Sequence, residues 1–196
     1  YSCFYMQSEG TAKSVARWVA LGALFLLPFT PLIVANSYFF PFITGKAFYL
    51  RILIEIAVVA WAILALLDKE YRPRFSWIGA AVVGFVVWMF VADAFAINPF
   101  KAFWSNFERM EGFVTMAHLL AYFLVASSVL NNEKWWHRFF ATSVGVSAFL
   151  GIYGILQLAG KIVINQGGVR LDGTFGNAAY FAGYMLFHIF LSLFLI

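Results

Sequence analysis

The sequence predicts an all-α fold: a polytopic transmembrane helix bundle of about six spans, with one short interfacial helix. Three observations point there. Hydrophobic residues make up 63% of the chain and charged residues 11%, against roughly 45–50% and about 25% in soluble domains. Six apolar runs lie at approximately 15–36, 48–67, 76–96, 112–130, 139–159 and 177–196, each near the length of about 20 residues that a helix needs to cross a bilayer. Aromatic residues reach 20% of the chain, many of them where apolar runs meet charges, as an interfacial belt requires.

The formal charge of +4 does not indicate nucleic acid, because the 13 Lys and Arg residues are scattered through short connectors rather than gathered on one segment. Membrane lipids with phosphate head groups suit this distribution better as partners. The single Cys, Cys3, supports neither a disulfide framework nor a cysteine metal site. The chain opens at Tyr1, has its first Met at position 6 and stops inside an apolar run at Ile196. That sets the expectation of the N-terminal part of a longer protein, with a flank over 1–14 and the helix bundle over 15–196. The first apolar stretch leads into Asn36-Ser37-Tyr38 without a small-residue cleavage pattern, so it is expected to remain as an anchor.

Within the first span, Pro28 and Pro31 should kink the helix, which is tolerated where neighbouring helices or hydroxyls satisfy the freed carbonyls. The fifth span carries Ser143, Ser147 and Gly151 at steps of four, with Gly154 beyond, a small-residue ridge for close helix packing. Connectors 68–75 and 131–138 are compact and charged, whereas 37–47, 97–111 and 160–176 are longer and more aromatic or Gly-rich. The N-terminal flank and compact connectors hold seven Lys and Arg against six on the other side, Arg51 included, a slight excess that places the N-terminus inside. In the connector 97–111, Asn98 followed by Pro99 reads as an N-cap and first helical residue. Phe100, Phe103, Trp104 and Phe107 then recur at helical spacing, which predicts an interfacial helix over 99–110 with its aromatic stripe in lipid.

Ionisable residues inside spans are expensive and mark candidate sites. Arg51 and Glu55 lie one to two turns below the outer end of the second span, Asp93 near the outer end of the third, and His118 about two turns into the fourth. His188 alone approaches mid-membrane and reads first as a packed, hydrogen-bonded histidine. Arg51 and Glu55, four residues apart, either neutralise each other on one helix face or belong to a site. The charges crowd one side, so a polar site would open outward. The loop 160–176, GKIVINQGGVRLDGTFG, carries Lys161, Arg170 and Asp172 before the sixth span. Its glycines and the following helix start could receive a phosphate, or the loop is an ordinary turn in which Asp172 braces Arg170.

The spacing Arg170-x-x-Gly173-x-Phe175-x-Asn177 at the head of a span is similar to a signature of the bacterial O-antigen ligase and O-antigen polymerase superfamily. The segment Trp104-Ser105 to Glu108-Arg109-Met110-Glu111-Gly112-Phe113 also resembles that family, and the likeness covers essentially all 196 residues as an N-terminal half. The resemblance implies a metal-independent, cofactor-free glycosyltransferase in the bacterial cytoplasmic (inner) membrane. It would take a glycan from a polyprenyl diphosphate carrier and pass it to the hydroxyl of a glycan, lipid or protein acceptor on the outer side. By similarity Arg170 and Arg109 would bind the diphosphate, with Gly173 and Asn177 shaping the loop, and the intramembrane Arg51 is added as a substrate-binding candidate. The family's catalytic histidine belongs to a later outer loop, so neither His118 nor His188 is assigned as base and the catalytic residue is unknown. Asp68, Asp93 and Asp172 are isolated and form no paired-carboxylate metal motif. A membrane transporter for solute uptake and a non-catalytic membrane subunit are the alternatives, the first of which calls for broken helices and ionisable groups around the midplane.

Overall fold

The computed structural model describes residues 2–106, 109, 111–165 and 168–196, with side chains from residue 10 onward. Phe107 of the expected aromatic stripe, and Glu108 and Met110 of the second motif, lie outside the described residues. Among those described, all regular structure is helical: α1 (Ser2–Leu26), α2 (Thr44–Leu67), α3 (Trp77–Ala94), α4 (Pro99–Trp104), α5 (Phe113–Val129), α6 (Glu133–Leu158) and α7 (Ala178–Phe194). Gly10–Leu32, Thr44–Leu67, Trp77–Ala94 and Glu133–Leu158 are long and apolar enough to cross a membrane. Helices α5 and α7, at 17 residues each, fall at the short end of the spanning range of about 17–25 residues. All six expected spans are thus helices, and α1 also runs back through most of the expected flank.

The chain packs as two compact units, residues 1–24 with 50–131, and residues 25–49 with 132–196. In the first, α3 packs on α5, and α4 contacts both. Asn98 caps α4 as expected, its Oδ1 accepting from Lys101 N at 3.1 Å. The helix is shorter than the 99–110 expected, because the chain turns away at Ser105, whose φ of 61° lies in the left-handed region. Gly112 is why the next helix can start so close: a Cβ there would collide with the carbonyl oxygens of Ala102 and Phe103. Nor is the aromatic stripe uniformly lipid-facing. Phe100 and Trp104 are exposed, but Phe103 joins Phe90 and Phe113 in a three-ring cluster with centroids 5.3–5.5 Å apart.

In the second unit, the prolines do not merely kink the first span; the α-helix gives way to a 3₁₀ turn over Leu27–Leu32. Pro31 has no N–H for the Leu27 carbonyl, and the Thr30 hydroxyl donates to that oxygen instead, at 2.6 Å. The ridge on α6 forms the contact with α7. Added Cβ atoms at Gly151 and Gly154 would lie 3.2 Å from Met185 and 2.9 Å from Phe181, and Ser143 meets His188. Close approach lets Val146, Leu150 and Phe181 bury together as this unit's core.

Candidate functional site

The Gly-rich loop 160–176 is held by residues on three neighbouring elements of the second unit. From α6, the buried Gln157 donates through Nε2 to Asp172 Oδ1 at 2.8 Å and to the Val163 carbonyl at 3.0 Å, while its Oε1 accepts from Gly173 N at 2.9 Å. From the first turn of α2, Lys46 Nζ donates to the carbonyls of Thr174 and Ile33, each at 2.7 Å. From the loop itself, the Thr174 hydroxyl donates to the Pro31 carbonyl at 2.6 Å. The proline-broken end of the first span therefore supplies acceptors that the loop and Lys46 fill, so one break in a helix becomes the anchor of another segment.

Two glycines make the turn possible. Gly173 and Gly176 have φ of 53° and 62°, and a Cβ at either would meet an aromatic ring, that of Phe181 or Phe42 respectively. Asn177 closes the turn as the N-cap of α7, its Oδ1 accepting from Ala179 N at 2.8 Å and Tyr180 N at 3.4 Å. That occupies two of the donors which an anion at the helix start would use. Arg170 is exposed, whereas Asp172 is fully buried. Among the described residues, Gln157 Nε2 donates to the Asp172 carboxylate.

The first unit contains the other ionisable candidates. Arg51, 7% exposed, donates from Nη2 to Thr115 Oγ1 at 2.9 Å, and Glu55 Oε1 lies 3.2 Å from His118 Nε2. The i, i+4 pair on α2 thus reaches across to an i, i+3 pair on α5. His118 Nδ1 donates to the Val114 carbonyl at 2.7 Å, since that oxygen can only accept. Its Nε2 faces a carboxylate oxygen, so the contact requires one proton, held by either partner. His188 is built the same way on one side, Nδ1 donating to the Tyr184 carbonyl at 2.8 Å, but its Nε2 accepts from the Ser143 hydroxyl at 2.8 Å. Buried to 6% exposure, His188 is a satisfied packing histidine, in line with the sequence reading. Glu55 sits deeper along its helix than expected, because α2 starts at Thr44 instead of 48 and places it eleven residues in.

Arg170, Gly173 and Asn177 thus share one turn of the second unit, and Arg51 lies in the first together with Arg109, half-buried before α5. Asp93 is half-buried in the last turn of α3. Gln157, Lys46 and Thr174 were not singled out from the sequence. A lone amide near the end of an apolar helix was the available signal for Gln157.

These features define a helical membrane protein, among the described residues, with a braced, arginine-bearing loop before α7. Comparison with protein-family models, curated proteins and solved structures finds no match.

Proposed function

We propose that this chain is the N-terminal part of an O-antigen-ligase-like glycosyltransferase of the bacterial cytoplasmic membrane. In this reading it binds a polyprenyl diphosphate-linked glycan at the outer side, for transfer to an acceptor hydroxyl. The observation that carries the reading is the presentation of Arg170: the loop's one carboxylate, Asp172, is buried on Gln157 while the guanidinium stands at the surface. In the reaction, the acceptor oxygen bonds to the anomeric carbon as the bond to the diphosphate breaks, and the acceptor proton passes to a base. Charge then grows on the departing diphosphate. A planar, permanently charged guanidinium that forms paired hydrogen bonds to phosphate oxygens stabilises that charge. Arg170 has this task, Arg109 and Arg51 are its candidate companions, and Gly173 and Asn177 fix the turn. The base is expected from the later outer loop of such enzymes.

One observation favours a second reading, a membrane transporter: Glu55 lies eleven residues into the 24-residue α2 and contacts His118. Intramembrane carboxylate and histidine pairs of this kind serve as ion or proton sites. The test uses full-length protein in proteoliposomes with a polyprenyl diphosphate glycan, an acceptor and a metal chelator. The proposal expects glycan-bearing acceptor to form. No transfer, together with solute uptake driven by an ion gradient, would replace it with the transporter.

A further inference from the structure

The compact connector after α2 opens onto a groove between α3 and α5, and the two ends of that groove differ in chemistry. At the connector end, a cavity of about 580 Å³ is lined by Arg72, Arg74, Ser76, Ser128 and Asn131 and by apolar Val83, Phe123 and Leu124. Leu124 also lines a second cavity of about 300 Å³, otherwise formed by residues such as Val86, Phe90, Ala117 and Leu120 and apolar throughout. The two cavities adjoin at Leu124 on the α3 and α5 surface, the first edged by arginines and the second apolar. The second ends on Phe90 and Phe113, two members of the three-ring cluster.

We propose that this groove binds one anionic phospholipid, with its phosphate at Arg72 and Arg74 and an acyl chain laid between α3 and α5 toward Phe90. This inference is independent of the glycan-transfer reading. From Gly79 to Phe90 is eleven residues of α3, about 16 Å at about 1.5 Å per residue, which matches the ~15 Å of one leaflet's hydrocarbon. Charge selects the head group. Arg72 is oriented by its Nε, which donates to the Ala65 carbonyl at 2.9 Å, and Arg74 is exposed beside it. Glu70, the one acid lining the mouth, accepts from Asn131 Nδ2 at 2.8 Å. Basic clusters at a helix end between spans are the usual seat of anionic lipid heads.

The apolar continuation beyond Leu124 is what favours a lipid over a free anion, which would use only the mouth.

The experiment places the full-length protein in bilayers of equimolar phosphatidylglycerol and phosphatidylcholine and counts retained lipids by native mass spectrometry after detergent release. Wild type is expected to retain phosphatidylglycerol in preference. Arg74→Gln should lower that retention about fivefold, the effect of removing one basic contact near the membrane surface, and leave phosphatidylcholine unchanged. Ala121→Phe, which fills the apolar part without touching charge, should also lower it. Three results would overturn the proposal: equal retention of the two lipids, unchanged retention in both variants, or release of the lipid by inorganic phosphate. A wild-type groove that carries no lipid because another helix or a second copy covers it would do so as well.

Discussion

Asp172 is fully buried, and its carboxylate accepts a 2.8 Å hydrogen bond from Gln157, fifteen residues earlier on α6. The same amide accepts from Gly173 N, so one side chain fixes both the acid and the glycine turn that follows it. Removing Gln157 would leave a buried carboxylate and a buried N–H without these partners. Each hydrogen bond so lost contributes about 0.5–1.5 kcal/mol, and about 1.5–3 where one partner is charged. Gln157→Leu is therefore expected to destabilise the protein by about 3 kcal/mol and to expose the loop to limited proteolysis. Wild-type protection of residues 160–176 in that variant would contradict the role.

The Glu55 to His118 contact is the second expectation. A hydrogen bond of this kind contributes about 1 kcal/mol net, and a double-mutant cycle isolates it from the separate losses of each side chain. The cycle of Glu55→Gln and His118→Phe, read in unfolding stability, should return a coupling of about 1 kcal/mol. Coupling near zero would mean that Glu55 interacts chiefly along its own helix with Arg51.

Most of the helices were legible in the sequence, and the reason is physical. In a bilayer the backbone must satisfy itself within each segment, so apolar length alone marks the spans. The α6 ridge was legible for a related reason, since Gly151 and Gly154 leave space that Met185 and Phe181 fill. The interfacial helix was overextended, because helical spacing of Phe100, Phe103 and Trp104 cannot reveal that the backbone turns away at Ser105. At the candidate site, Arg170 and the glycines could be named from their types. Their support could not: Gln157, Lys46 and Thr174 act through backbone carbonyls and amides far along the chain, which no spacing encodes.

Orientation supplies the third prediction. With both ends expected inside, single cysteines at Ser105 and Gly168 should react with a membrane-impermeant thiol reagent added outside, and one at Asn132 should not. Labelling of Asn132 alone would invert the topology and move the loop carrying Arg170 away from the outer side.

The fourth concerns acid. Lys13 pairs with Asp68 Oδ2 at 2.6 Å, and this hydrogen bond, with that from Glu70 N, holds the Asp68 carboxyl below its ordinary value. A carboxyl depressed in the folded state adds stability above its unfolded pKa, about 3.9, and loses it as pH falls through the folded value. The difference in melting temperature between wild type and Asp68→Asn should therefore be positive near neutrality and fade below about pH 4. A difference independent of pH would remove the pair from the account.

The central claim is that Arg170 stabilises a departing diphosphate, and the most direct measurement is glycan transfer by Arg170→Lys and Arg170→Ala in the full-length protein. Lysine keeps the charge but loses the planar fork. A residue with only a loop-bracing role would tolerate that change, because an exposed ion pair contributes about 0–1 kcal/mol. A diphosphate ligand would not. The account predicts that Arg170→Lys lowers transfer by about tenfold or more, roughly 1.4 kcal/mol of transition-state stabilisation, and Arg170→Ala lowers it further, with membrane insertion and expression unchanged. Transfer near the wild-type rate in both variants would contradict it.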